Sequence, residues 1–204
     1  MGAPALRLDP VILENAFVRL EPVKEAHRDP LRAAGADPDL WRYSVLNQHG
    51  AGFDAWFDHQ LSRTTSGADL CFAVIDKASG EAAGSSSYLA IVPEHKRLEI
   101  GWTWYDRRFW AGATNPSCKR LLMGHAFEAL GFNRVELKLD ATNQRSWNAV
   151  ERLGAKYEGI FRQHMVMPDG RLRDTAYFSV IAPEWPMVKA GLDRRLAGFE
   201  PSGC

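Results

Sequence analysis

Cysteine is scarce in this chain. There are three in 204 residues, Cys71, Cys118 and Cys204, and no CxxC pair among them. A sparse, odd set supports neither a disulfide framework nor a thiolate zinc site. The six histidines show no HExxH-type spacing, so no metal is expected. Charge of one sign is missing too: 25 Lys+Arg balance 25 Asp+Glu, and a chain without a basic excess is a poor nucleic-acid binder. No apolar run approaches the roughly 20 residues of a membrane span, and no basic segment leads into an apolar stretch at the start. The expectation is a soluble cytoplasmic protein with no nucleic-acid or membrane partner. Repeats and low-complexity tracts are absent as well. What remains is ordinary: 46% hydrophobic and 25% charged residues, which excludes a disordered chain. A globule of 204 residues buries about 70% of its unfolded surface. One slightly large domain over residues 11–197 is expected, with loose ends at 1–10 and 198–204.

Local patterns alternate between strand and helix. Strands are expected at 17–21, 70–75, 82–92, 97–105, 134–140, 157–167 and 172–181, the last two joined by Pro168-Asp169-Gly170. Helices are expected from Pro22 to Ala34, from Asp54 (as N-cap) to Arg63, from an Asn115 cap followed by Pro116 to Gly131, from Asn143 to Gly154, and from Glu184 to Leu196. Residues 35–53 read as a loop or short helical turns. The mixture suggests an α/β or α+β sheet with some antiparallel pairs. Gly101, alone in a strand, marks a bulge or a close approach to its backbone.

Three places could carry chemistry. Between Arg107 and Arg120 a strand leads through a loop to a helix start with no acidic residue, while Arg107, Arg108, Lys119 and Arg120 supply positive charge. Such a turn suits a bound phosphate, or it is a solvated basic turn. Asp140 through Ser146 forms a second polar strand-to-helix junction, where Asn143 either caps the helix or faces a ligand. Glu99 is a carboxylate on a mostly apolar strand, either exposed on a solvent face or a general base whose pKa burial raises. His125 reads as a core or boundary histidine. The seven tryptophans read as core and pocket walls, since no basic stripe accompanies them. The aromatic content allows a homodimer.

The ordered set of motifs resembles the Gcn5-related N-acetyltransferase superfamily, and within it the branch that includes the ribosomal-protein-alanine N-acetyltransferases. It runs from Phe17-Val18-Arg19-Leu20-Glu21-Pro22 through Leu98-Glu99-Ile100-Gly101, Phe109-Trp110, Thr114-Asn115 and Lys119. It continues through Leu121 to Glu128, Phe132 to Asp140, Asn143-Gln144-Arg145-Ser146, Leu153-Gly154-Ala155, Glu158-Gly159, Arg162, Asp169-Gly170 and Arg173-Asp174. The resemblance implies a central, mostly antiparallel sheet that splays between its fourth and fifth strands, with helices on both faces. It implies acetyl-coenzyme A as co-substrate and no metal. The cofactor arm would pair with the backbone of Trp102, Thr103 and Trp104. Its pyrophosphate would sit on the loop from Arg107 to Asn115, with Arg107, Arg108, Gly112, Ala113, Thr114, Asn115 and Lys119 as binding residues. Asn143 and Ser146 would also contact it.

The resemblance also implies roles. Glu99 would be the base, and a backbone N–H near Trp102 would polarise the thioester carbonyl. Many members carry a tyrosine seven residues after the asparagine as acid for the thiolate; here Val150 stands there, and Ser146 takes that role. Ala111 stands where the usual phosphate loop has glycine. Trp41, Arg42 and Tyr43, with the 168–170 hairpin, would wall the amine side. The acceptor is a primary amine, favoured as a protein N-terminus. The open alternatives are a small amine, such as a polyamine or an antibiotic, and a non-catalytic coenzyme A-binding sensor or interaction module.

Overall fold

An eight-stranded sheet runs through the structure, a computed structural model that describes residues 8–46 and 48–199. Its strands are β1 (Leu13–Glu14), β2 (Val18–Pro22), β3 (Leu70–Asp76), β4 (Ala82–Val92), β5 (Arg97–Tyr105), β6 (Arg134–Asp140), β7 (Lys156–Val166) and β8 (Leu172–Ile181). They lie in the order β1-β2-β3-β4-β5-β6-β8-β7, and every neighbouring pair is antiparallel except β5 with β6.

The helices are α1 (Arg28–Ala34), α2 (Phe53–Ser66), α3 (Thr114–Gly124), α4 (Gln144–Leu153) and α5 (Trp185–Leu196). They cover both faces of the sheet, which explains why β3 is apolar without a break. Its Phe72 and Val74 enter the larger core with Leu122 and Met123 of α3 and Trp185 of α5, while Cys71 and Ala73 enter a second core with Leu31 of α1 and Phe53, Trp56 and Phe57 of α2. Successive strand residues point to opposite faces, so a strand covered on both sides has no polar phase. Among the described residues no helix is long and apolar enough to cross a membrane.

Two bulges bend β5. Ser85 and Ser87 pair with Trp104 and Gly101, so Ser86 opposes both Trp102 and Thr103, and Trp102 takes a φ of 51°. A second shift falls between Leu89 and Val92, where Ala90 has a φ of 46°. Bulges add twist and turn a strand away from its old line. β6 is held straight by seven register pairs to β8, from Arg134↔Ile181 to Asp140↔Thr175. The parallel pairing of β5 with β6 therefore stops after Arg97↔Arg134, Leu98↔Val135 and Glu99↔Glu136. Beyond that point the strands part.

Most boundaries fall where the pattern puts them. Four do not. Pro22 ends β2 opposite Phe72, and only a 3₁₀ turn, Glu25–His27, precedes α1. Asp54 lies in the first turn of α2 behind a Gly52 cap, because Arg28 and Arg32 of α1 engage its carboxylate. α3 opens at Thr114 after Ala113, with no side-chain cap, so Asn115 and Pro116 sit inside its first turn. After Gly124 it passes into a π-turn over His125–Ala129 and stops at Gly131, whose φ is 65°. The expected loose ends lie largely outside the described residues. Where described, Leu8 is buried in the larger core and Phe199 meets Phe17 edge-on.

Candidate active site

A cavity of about 990 Å³ fills the gap between β5 and β6. Its walls include the bulge residues Trp102, Thr103 and Trp104, the turn Ala111-Gly112 with Asn115 and Lys119, the α4 start with Asn143 and Ser146, and Trp41 and Tyr43.

Glu99 stands at the point where the strands part. It is 9% exposed, and its Oε2 lies 2.7 Å from Lys138 Nζ of β6. Burial raises the Glu99 pKa above the ordinary carboxylate value, and the nearby Lys138 only partly offsets this. Burial pulls on Lys138 in the opposite sense, yet Glu99 and Tyr177 hold its pKa above the lysine value. The solvent-face alternative for Glu99 is therefore excluded. Gly101 is small for a reason the sequence only hinted at: a Cβ there would lie 2.8 Å from Glu99 Oε1 and 2.8 Å from Leu89 Cδ1. The bulge itself falls one residue later, on Trp102.

The start of α3 forms the other end. Its cap residue Ala113 lends no side chain, so among the described residues the leading N–H groups meet no side-chain cap. Ala111, at φ 60°, makes the turn into it. Lys119, 8% exposed, donates from Nζ to Thr103 Oγ1 at 3.3 Å, and no carboxylate lies within ion-pair distance among the described residues. Burial lowers its pKa to about 8.

The two arginines of the loop are less free than their sequence surroundings suggest. Arg107 pairs with Asp37 and Asp39, and Arg108 with Asp106 and Glu81. The segment lacks acids, but distant segments bring them. Arg107, Arg108, Ala113 and Thr114 are not among the cavity-lining residues. Arg145 is. Its guanidinium lies over the Trp110 ring, 3.5 Å from the centroid, and burial lowers its pKa, with Arg107 adding to the effect.

Asn143 caps its helix and also faces the cleft. Its Oδ1 caps α4 by accepting from Ser146 N at 3.1 Å, and the residue lines the cleft. Val150 lines it as well. On the opposite wall Trp41 is buried, donating from Nε1 to Gly35 O and packing on Trp104 at 4.8 Å between centroids. Tyr43 lines the cavity, whereas Arg42 is exposed and lies over the Tyr43 ring. The 168–170 turn is not part of the wall; His164, Met165, Arg173 and Thr175 of the same hairpin are.

Lys138, Arg145 and Arg173 were missed by sequence reasoning. Lys138 and Arg173 look like ordinary polar phases of alternating strands, and Arg145 like a residue of a capped helix start. The only available signal was the motif context of Arg145 and Arg173.

The family model described as an acetyltransferase (GNAT) domain matches residues 18–156. The uncharacterized N-acetyltransferase p20 of Bacillus licheniformis is 29% identical over 114 residues, 56% of this chain and 63% of that protein. A Bacillus subtilis protein with the provisional name ribosomal N-acetyltransferase YdaF is 30% identical over 107 residues, 52% of this chain and 57% of that one. The matches thus span about three fifths of the length of the curated relatives. The crystal structure of a GCN5-related N-acetyltransferase from Brucella melitensis has a TM-score of 0.88 at 35% identity, covering 98% of this chain and 92% of that one. Mycobacterium smegmatis RimJ, in complex with CoA-disulfide, shares the fold at 18% identity, with a TM-score of 0.71 over 91% of this chain and 93% of its own.

Proposed function

The chain belongs to the acetyltransferase (GNAT) domain family, and on that premise we propose that it is an acetyl-coenzyme A-dependent N-acetyltransferase whose acceptor is a primary amine, the α-amino group of a protein N-terminus. One observation carries the reading. The parting of β5 from β6 opens a single cleft with an anion-suited end at the start of α3 and a base-bearing end at Glu99.

The donor set fits the cofactor. Helix N–H groups without a side-chain cap, Lys119 and Arg145 suit a pyrophosphate. Arg107 and Arg108 flank this turn, and Gly112, Ala113, Thr114 and Asn115 form it. The β5 backbone beyond Glu99, at Trp102, Thr103 and Trp104, has no β6 partner and suits an amide-bearing arm. Bound there, acetyl-coenzyme A supplies an electrophilic thioester carbonyl and a thiolate leaving group.

The residues then divide the work. Glu99, with its raised pKa, takes a proton from the acceptor ammonium, directly or through water. An α-amino group near pKa about 8 asks less of that base than a lysine near about 10.4. A backbone N–H of the Trp102 bulge polarises the carbonyl. Ser146, at the cleft, donates to the departing thiolate in place of the tyrosine that Val150 replaces. The ribosomal assignment in the name of YdaF favours a protein acceptor over a small amine.

Thermal unfolding with and without acetyl-coenzyme A tests the cofactor half. A ligand at one hundred times its Kd stabilises by about 2.7 kcal/mol, some 5–10 °C for a domain of this size. Asn115→Ala and Arg145→Ala should both shrink the shift. No shift in folded protein overturns the reading. A full shift without thiol release on any amine turns it into a coenzyme A-binding module.

A further inference from the structure

The acceptor side of the cleft holds a positive charge that makes no ion pair among the described residues, although Asp140 and Glu99 act on it from a distance. Arg173, on β8, is 9% exposed and lines the same cavity as Glu99. Its Nη1 reaches the Tyr43 carbonyl oxygen at 3.4 Å, a long contact, and its Nε is buried without a partner. Two residues along the same face of β8, Thr175 Oγ1 is also buried and unpartnered.

The acids that could serve Arg173 are already engaged. Asp140 accepts from Arg171 Nη2 at 2.6 Å and from Thr142 N and Oγ1 at 2.9 and 2.7 Å. Glu99 holds Lys138. Among the described residues no carboxylate lies within ion-pair distance of Arg173. A buried charge left without a counter-ion is costly, so such a group persists where something else completes it. A planar guanidinium is shaped to take a carboxylate with two parallel hydrogen bonds.

Resting on the acetyltransferase reading, we propose that Arg173 is a specificity residue that binds a carboxylate carried by the acceptor itself, so the preferred substrate is an amine with a carboxylate in the same molecule. Glu99 receives the amine and Arg173, assisted by Thr175, the carboxylate. A polyamine instead brings a second cation toward Arg173 and Lys138. The carboxylate could be the α-carboxylate of a free amino acid or an acidic side chain early in a peptide, and the substrate panel separates the two.

The test uses the full chain and its Arg173→Gln and Arg173→Lys variants. Acceptors are C-terminally amidated tetrapeptides Ala-Asp-Ala-Ala, Ala-Asn-Ala-Ala and Ala-Lys-Ala-Ala, with free alanine, alaninamide and spermidine. Initial rates are read by thiol release. Thermal midpoints are read for each acceptor in the presence of coenzyme A, which needs no turnover. The expected result is a tenfold or larger advantage in kcat/KM, carried by KM, of Asp over Asn peptide or of alanine over alaninamide, with a matching midpoint difference. Arg173→Gln erases it, Arg173→Lys keeps part of it, and the KM for acetyl-coenzyme A stays unchanged. Equal behaviour of carboxylate and amide partners in the natural chain overturns the inference, as does a preference that survives Arg173→Gln. The natural chain decides alone where a variant does not fold. Failure of the underlying reading shows separately, as the absence of any midpoint shift with acetyl-coenzyme A.

Discussion

Glu99 carries a conflict between charge and burial, and that conflict is testable. Its raised pKa means that the base form appears at higher pH than for an ordinary glutamate. The acidic limb of the kcat profile is expected there and not near 4.5, because the rate needs the deprotonated form. Glu99→Gln should lower kcat by about 10²–10⁴-fold, abolish that limb and leave acetyl-coenzyme A affinity intact; an unchanged profile removes Glu99 from the role. Lys119 has the opposite sign. The unfolded chain keeps that proton up to about 10.5, the folded chain only to about 8. Below pH 8 the group is a constant penalty of about 3 kcal/mol. Stability recovers as pH rises from 8 toward 10.5. Lys119→Met should therefore raise Tm at pH 7, flatten the dependence between pH 8 and 10.5, and weaken acetyl-coenzyme A. Ala111 is the third residue of this kind. It stands in left-handed backbone at φ 60°, where glycine is unstrained. Ala111→Gly should stabilise by up to about 1 kcal/mol, the relief of strain exceeding the entropy that glycine adds to the unfolded chain; a lower midpoint in urea unfolding contradicts this.

Among the elements, β5 decides the site. A regular β5 would continue its pairing with β6 and close the cleft. Gly84 on β4 makes the irregularity possible: its φ is 152°, and a Cβ there would overlap the carbonyl oxygen of Trp104. Backbone cannot yield as a side chain can, so Gly84→Ala should cost more than about 3 kcal/mol. It should reduce acetyl-coenzyme A binding in whatever protein remains folded. Denaturant midpoints together with the ligand-induced shift check this. The same strand shows how far local reading goes. Arg97 to Tyr105 announces itself by its aromatic and β-favouring residues, and Gly101 announces an anomaly. The positive φ nevertheless falls on Trp102, because the register against Ser85 and Ser87 sets it, and register is a relation between two strands. The start of α3 moves for a similar reason. Asn115-Pro116 is a good cap in isolation, but the turn at Ala111 starts the helix earlier, at Thr114.

At the scale of the whole molecule, two cores clamp the sheet, and the smaller one shapes the cleft. Trp41, Trp56 and Trp104 pack with centroids 4.8–6.2 Å apart, tying the segment before α2 to β5. Trp56→Ala should cost about 3–5 kcal/mol. If the protein still folds at low temperature, the acceptor KM should rise more than that of acetyl-coenzyme A. Equal changes would mean that this core supports the fold without shaping the acceptor wall. The sequence alone determined all the elements but the short β1, through period-2 and period-3.6 patterns and through glycines such as Gly131, Gly154 and Gly170, since these depend on neighbours a few residues away. It also determined the family, through motifs in a fixed order. Only the tertiary structure decided which charges are free. Arg107 and Arg108 look unopposed along the chain and are neutralised by Asp37, Asp39 and Glu81 from other segments. Lys138 looks like a solvent-facing strand residue and is the partner of Glu99, while Arg173, on another such strand, makes no ion pair among the described residues. An ion pair depends on distance in space, and sequence separation carries almost no information about that distance.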